Sequence, residues 1–220
     1  MTAQRNANTH ETQVKIASTN KIPFFTTGGG HGIADYHAFD GLSIDLSHFS
    51  SIHLDGSTGF LTIGGSTKIR QLIKPLYQAG RELPLGSCAC VGIVGATLGG
   101  GIGSLHGHRG LMLDALESVR IVTANGMLLQ ASETEHADLF WALRGAGSNF
   151  GIVTSATYKV PEASNKGMYM NADFVYPASA NQSFWKVMQD FDSILPARLA
   201  ITAVAFYNRV TDEVCALESS

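Results

Sequence analysis

Gly145-Ala146-Gly147-Ser148-Asn149-Phe150-Gly151-Ile152-Val153 is the stretch on which the fold class turns. Its glycines resemble a dinucleotide-binding fingerprint, which needs a strand before them and a helix after them so that the helix N-terminus meets a pyrophosphate. Here the order is reversed. The helical pattern Leu139-Phe140-Trp141-Ala142-Leu143 comes first, and Gly151 to Val160, rich in β-branched residues, follows as a strand. A doubly wound nucleotide fold is excluded. The absence of any Gly-Lys-Ser/Thr triplet excludes a P-loop as well.

Upstream, Leu116 to Ala124, Asn125-Gly126 and Met127 to Gln130 read as a β-hairpin with a type I′ turn. Ala137 to Leu143 is a short helix, with acidic residues near its start. Thr67 to Gln78 is a helix with Ser66 or Thr67 as its cap, Ile69, Leu72, Ile73 and Leu76 on one face, and Pro75 kinking or shortening it. Val91 to Leu98 is a short buried helix. Phe24 to Thr27, Leu42 to Leu46, Ser51 to Asp55 and Phe60 to Ile63 are strands. Residues 1–11 read as a disordered tail, with one or two helical turns in Thr12 to Asn20. Past the polar break at Pro161 to Gly167 come a strand (Met168 to Tyr176), a helix (Ala180 to Ile194) and a strand (Leu199 to Tyr207). These are too few elements for an independent domain. Strands and helices mixed in this way make an α+β chain, with a first domain over residues 12–163 and an incomplete second over 164–220.

Glycine is the unusual component: 24 residues of 220, clustered and without a fixed period. Thr26-Thr27-Gly28-Gly29-Gly30-His31-Gly32 is a strand end followed by four glycines in five positions. A plain tight turn needs one or two, whereas successive backbone N–H groups in such a loop form a nest for an anionic group. His31 reads either as a solvated loop histidine or as one facing a ligand, and the residues alone leave both open. The later clusters are Gly86 to Gly95, Gly99 to Gly103 and Gly145 to Gly151. Within the first of these, Cys88 is either an inert small side chain or a thiol activated by the helix start that follows it.

Several function classes drop out. A net charge of −3 with scattered Lys and Arg gives no case for nucleic acid or an anionic membrane. No stretch approaches the ~18 apolar residues of a membrane span. Three cysteines make no disulfide framework. His106-Gly107-His108 lacks adjacent carboxylates, so no metal site is expected, and no Gly-x-Ser-x-Gly elbow supports Ser-His-Asp hydrolysis. The polar start lacks the apolar core of a signal peptide, which makes cytoplasmic the default location.

In their order, Gly29-Gly30-His31, Gly86-Ser87-Cys88-Ala89-Cys90-Val91-Gly92, Gly99 to Gly103, Gly110-Leu111-Met112-Leu113-Asp114 and Asp138 to Val153 resemble the PCMH-type FAD-binding domain of the vanillyl-alcohol oxidase/p-cresol methylhydroxylase superfamily. The likeness is greatest to fungal-type members of its berberine-bridge-enzyme-like branch. It spans residues 12–160. The resemblance implies a mixed-sheet FAD domain with flanking helices, followed by a substrate domain. It implies FAD bonded covalently at His31, with Cys88 as the second attachment point of bicovalent members. Thr27, Gly28, Gly29, Gly30 and Gly32, with Gly92, Gly95, Gly99, Gly100 and Gly101, would follow the diphosphate and ribityl chain. Gly151, Ile152 and Val153 would meet the adenine end.

The activity implied is oxidation of a small organic substrate (an alcohol, sugar or secondary metabolite), with oxygen reoxidising the flavin. Two features depart from the pattern. Thr27 and Gly28 stand where the family loop carries arginine and serine, which removes a charge near the diphosphate. Members are also longer, with a further N-terminal unit and a complete substrate domain, so this chain is expected to be shortened at both ends and no catalytic base can be carried over. Relatives are often secreted, which sets the resemblance against the default location. Oligomeric state has no signal here. The alternative to an enzyme is a non-catalytic flavin-binding fragment or one that needs a partner chain.

Overall fold

The computed structural model describes residues 2–32, 40–208 and 213–219. The chain forms two compact units. The first comprises residues 1–103 and 111–167, and the second residues 104–110 and 168–220. The division after Gly167 falls a few residues beyond the expected boundary at 163, and the segment 104–110, expected in the first domain, groups with the second.

The first unit is built on a five-stranded antiparallel sheet. Its strands are β3 (Ile52–Asp55), β4 (Phe60–Gly64), β5 (Leu116–Val122), β6 (Leu128–Ser132) and β7 (Ile152–Lys159), in the order β3-β4-β7-β5-β6. Helices α2 (Ile69–Gln78), α3 (Ile93–Leu98) and α5 (Ala137–Ala146) contribute Ile69, Leu72, Leu76, Ile93, Val94, Leu98, Phe140 and Leu143 to its main core. Against them lie Leu61, Ile63, Val119, Ile121, Val153 and Tyr158 from the sheet. Removing this much apolar surface from water is the main stabilising term.

A smaller core sits on the opposite sheet face. There Val122 and Ile152, paired across β5 and β7, meet Ile44, Leu46 and Phe49, together with Val14 of α1 (Thr2–Thr19). Strands β1 (Phe24–Thr27) and β2 (Leu42–Asp45) form a parallel pair beside it. Alternation along the ends of β5 and β7 thus feeds two cores, one from each face.

The structure departs from the sequence reading at several points. Helix α1 starts at Thr2, where a tail to residue 11 and one or two turns are expected. It ends with Lys21 in the left-handed region, with Ile22 N donating to Ala17 O at 2.8 Å and Lys21 N to Ser18 O at 3.2 Å, a C-terminal motif normally served by glycine. Helix α2 starts after Lys68, because Ser66 and Thr67 are engaged elsewhere. Ser66 Oγ donates to Phe49 O at 2.9 Å, and Thr67 O accepts from Ile93 N at 2.9 Å. Its Ile73 is exposed rather than in the core, and the helix runs through Pro75.

The β5–β6 hairpin forms, but not with a type I′ turn. Gly126 N donates to Thr123 O at 2.7 Å, and only Gly126 of the two turn residues has positive φ. That is a type I turn followed by a left-handed glycine, with Asn125 Oδ1 accepting from Met127 N at 3.1 Å.

The second unit holds β8 (Asp173–Tyr176), β9 (Thr202–Asn208) and β10 (Glu213–Ser219), in the antiparallel order β8-β10-β9. Strand β10, which the sequence reading does not anticipate, is the central one. Helix α6 (Asn181–Phe191) packs on one face through Phe184, whose ring lies 5.4 Å from that of Tyr176. His106 to Arg109 form a one-turn helix, α4.

Candidate functional site

Strand β1 ends at Thr27 and the chain enters the glycine loop. Leu46 N donates to Thr27 O at 3.0 Å, holding the end of β1 against the residue that follows β2. Behind the loop the packing is tight. A Cβ on Gly29 would lie 2.3 Å from the backbone nitrogen of Gly92, and one on Gly92 would lie 2.9 Å from that of Gly29. Real Cβ contacts do not come this close, so both positions must lack a side chain. The loop carrying His31 is thereby seated on the segment carrying Cys88.

That segment is itself held by α2. Ile69 N donates to Val91 O at 3.0 Å, Arg70 N to Ala89 O at 2.9 Å, and Lys68 bridges Gly92. Gly28 and Val153 meet through Gly65. A Cβ on Gly28 would stand 3.3 Å from Gly65 O, and one on Gly65 would stand 2.2 Å from Val153 O. A β-bulge places the last contact. The β5–β7 register shifts between Arg120 and Ile121, leaving Thr154 unpaired, and its carbonyl accepts from Gly65 N at 2.9 Å. Four segments therefore converge: 28–32, 64–67, 86–95 and 151–154.

The front of the loop is open. Gly30, with φ of +75°, has nothing within 4 Å of where its Cβ would be. Gly30, His31 and Gly32 are exposed, and the N–H groups of Gly29, Gly30 and His31 donate to no acceptor among the described residues. Free backbone donors on a rigidly backed loop suit an anionic group such as a diphosphate. The arrangement thus fits a dinucleotide cofactor whose phosphates need backbone donors rather than a fixed cation.

Other expected residues lie further along. Gly95 is exposed on α3 with open space at its Cβ position. Gly100 and Gly101 accept from Leu113 N and Met112 N at 3.1 and 2.8 Å, which turns the third cluster toward the Leu111–Asp114 stretch. Asp114 Oδ2 accepts from Leu111 N at 2.8 Å, and its other oxygen is 3.7 Å from Arg144. Gly151 sits against Val122 O, where a Cβ would lie 2.3 Å away.

Cys88 is exposed but does not stand at a helix start. The N-cap of α3 is Gly92, and Cys88 opens a turn in which Val91 N donates to its carbonyl at 3.2 Å. The expectation that the helix dipole activates its thiol is therefore not met, because the dipole acts only within the first turn. Sequence reasoning also missed Gly64-Gly65-Ser66-Thr67, although a glycine pair at a strand end followed by two hydroxyl residues was a usable signal. Among the described residues there is no group of three or more His, Cys, Asp or Glu that could hold a metal, and no helix long and apolar enough to cross a membrane.

The FAD binding domain family matches residues 4–132, more than half of the chain. The chain belongs to this family. It is 67% identical over 200 residues to the FAD-linked oxidoreductase tazG of Aspergillus terreus, covering 91% of this chain and 41% of that protein. Among solved structures it matches 6-hydroxy-D-nicotine oxidase from Arthrobacter nicotinovorans, with a TM-score of 0.86 and 26% identity over 97% of this chain and 47% of that one. It also matches glucooligosaccharide oxidase from Acremonium strictum, with a TM-score of 0.79 and 26% identity over 97% of this chain and 45% of that one; that enzyme has a 6-S-cysteinyl, 8α-N1-histidyl FAD. The resemblance to PCMH-type and berberine-bridge-like flavoproteins holds, and so does the α+β class. The chain spans about two fifths of the length of the curated relatives it matches, 41% for tazG and 43% for the azaL protein of Aspergillus niger.

Proposed function

We propose that this chain is the flavin-holding part of an FAD-linked oxidoreductase acting on a small organic substrate, with His31 as the covalent attachment point and Cys88 as a second. The observation that carries the reading is the Gly29–Gly92 contact, which seats the His31 loop on the Cys88 segment. The glucooligosaccharide oxidase, a structural relative, holds its FAD through one histidine and one cysteine, which supports the same assignment here. When bound, the flavin supplies the hydride acceptor, and oxygen restores it.

The residues of this chain bind and orient. Gly28 to Gly32 offer backbone N–H groups to the diphosphate, with Gly92, Gly95 and Gly99 to Gly101 alongside. Gly151 to Val153, joined to Gly65 through the Thr154 bulge, border the adenine end. The general base is assigned to no residue of this chain. The relatives include a fungal FAD-linked oxidoreductase, tazG, and a glucooligosaccharide oxidase, so a sugar is the substrate class to test first, with secondary metabolites next.

A second reading follows from the 41% coverage of tazG: this chain holds flavin without turning over, because the other residues of the relatives are needed for chemistry. One preparation separates the two. The chain is expressed, precipitated in acid and inspected for yellow colour in the pellet. Colour that stays in the pellet and is lost only when His31→Ala is combined with Cys88→Ser supports attachment at both residues, and a colourless native protein overturns the flavin assignment. Bleaching of the bound flavin by candidate alcohols and sugars under nitrogen then marks an enzyme, and its absence a holding fragment.

A further inference from the structure

We infer that Cys88 and Cys90 form a reversible dithiol–disulfide pair, a modification site on the surface of the first unit. Both cysteines are free and exposed. They occupy the first and third positions of one turn, closed by Val91 N donating to Cys88 O at 3.2 Å. The inner side of this turn is fixed to the start of α2 by the bonds from Ile69 N to Val91 O at 3.0 Å and from Arg70 N to Ala89 O at 2.9 Å. The turn is therefore a rigid platform with two thiols on it.

Two virtual bonds of about 3.8 Å, folded back in a turn, put the Cα atoms of its first and third residues about 5.5 Å apart. This lies at the centre of the range a disulfide bridges. The ring closed across one intervening residue is small, so the bond is of the exposed and strained kind that is easily reduced again.

The closure balances with a glutathione-type disulfide as oxidant. One protein thiolate attacks a sulfur of the oxidant, forms a mixed disulfide and expels one thiolate. The second protein thiolate then attacks the protein sulfur of that mixed disulfide, forms the Cys88–Cys90 bond and expels the other. Two electrons pass to the oxidant, and the two protein protons end on the two small thiols. The second step is intramolecular on a preformed turn, so it outruns attack by free thiol.

Closure has a consequence that rests on the flavin reading above. With its sulfur in the disulfide, Cys88 cannot bond to a cofactor, so oxidation of the pair would leave His31 as the single attachment point.

The test uses the full chain with Cys215→Ser, without flavin, in buffers of oxidised and reduced glutathione. Mass spectrometry is expected to show loss of two hydrogens confined to the peptide containing residues 88–90, with both thiols protected from alkylation and both recovered with dithiothreitol. Adding Cys90→Ser should replace this product by a single glutathione adduct on Cys88. A Cys215→Ser chain that carries glutathione on either cysteine without closing the ring, or that keeps both thiols free, overturns the proposal. Unchanged far-ultraviolet circular dichroism checks that each variant is folded. In a His31→Ala, Cys215→Ser chain incubated with FAD, acid-stable colour should form only in the reduced state. If no colour forms in either state, attachment at Cys88 fails while the disulfide stands on its own result.

Discussion

Gly29 and Gly92 pack backbone to backbone, so closely that a Cβ on Gly29 would fall 2.3 Å from the Gly92 nitrogen. Neither neighbour is a flexible side chain that could move aside. Gly29→Ala must displace either the loop or the Lys68–Gly92 bridge, at a cost of about 1–3 kcal/mol. The expected outcome is a lower denaturation midpoint together with loss of acid-stable flavin. A variant that keeps both would show that the contact does not position the loop.

Gly95 is the counterpart. Its Cβ position is open and it lies in the helix α3. Gly95→Ala should therefore stabilise the flavin-free chain by about 0.5–1 kcal/mol, because alanine loses less backbone freedom in a helix. If Gly95 borders the cofactor, the same variant weakens flavin retention. Thermal melts of the free chain and flavin titrations should thus move in opposite directions.

Tyr158 is fully buried, and burial pushes its phenol well above the ordinary tyrosine value. Thr97 Oγ1 donates to Ile93 O at 2.9 Å, so the Tyr158 hydroxyl is the donor in its own 2.9 Å bond to Thr97. Above about pH 10 the unfolded phenol loses its proton while the folded one keeps it, so stability falls as pH rises from there. Tyr158→Phe should cost about 1 kcal/mol at neutral pH. It should also flatten this alkaline decline in urea denaturation series.

Asp55 closes the β3–β4 turn. Its Oδ1 accepts from Ser57 Oγ at 2.6 Å, Ser57 N at 2.9 Å and Thr58 N at 3.2 Å, and these bonds, the Ser57 hydroxyl foremost, hold its carboxyl well below the ordinary range. A depressed folded value means stability that is complete above the unfolded value, near pH 4, and is lost as pH falls below it. Asp55→Ala should lower the melting temperature at pH 7 by more than it does at pH 2, where part of the stabilisation is already lost. An equal deficit at both values would remove the carboxylate from this account.

Much of the site was legible because its signals are local. The reversed helix–glycine–strand order of Leu139 to Val160, the four glycines around His31 and the hairpin of β5 and β6 are each read within a window of a few turns, where periodicity and turn chemistry are set by neighbouring residues. The motifs also carried the family resemblance. Tertiary structure decided what those windows cannot contain. It chose Gly92 as the partner of Gly29, brought in Gly65 through the Thr154 bulge, used Ser66 and Thr67 to tie segments rather than to cap α2, and moved the start of α3 away from Cys88. It also placed β10 between β8 and β9. The reason is range: a residue's preference for helix, strand or turn is a property of its own backbone, whereas a glycine required by close approach is defined by the segment it touches, which only the packed fold identifies.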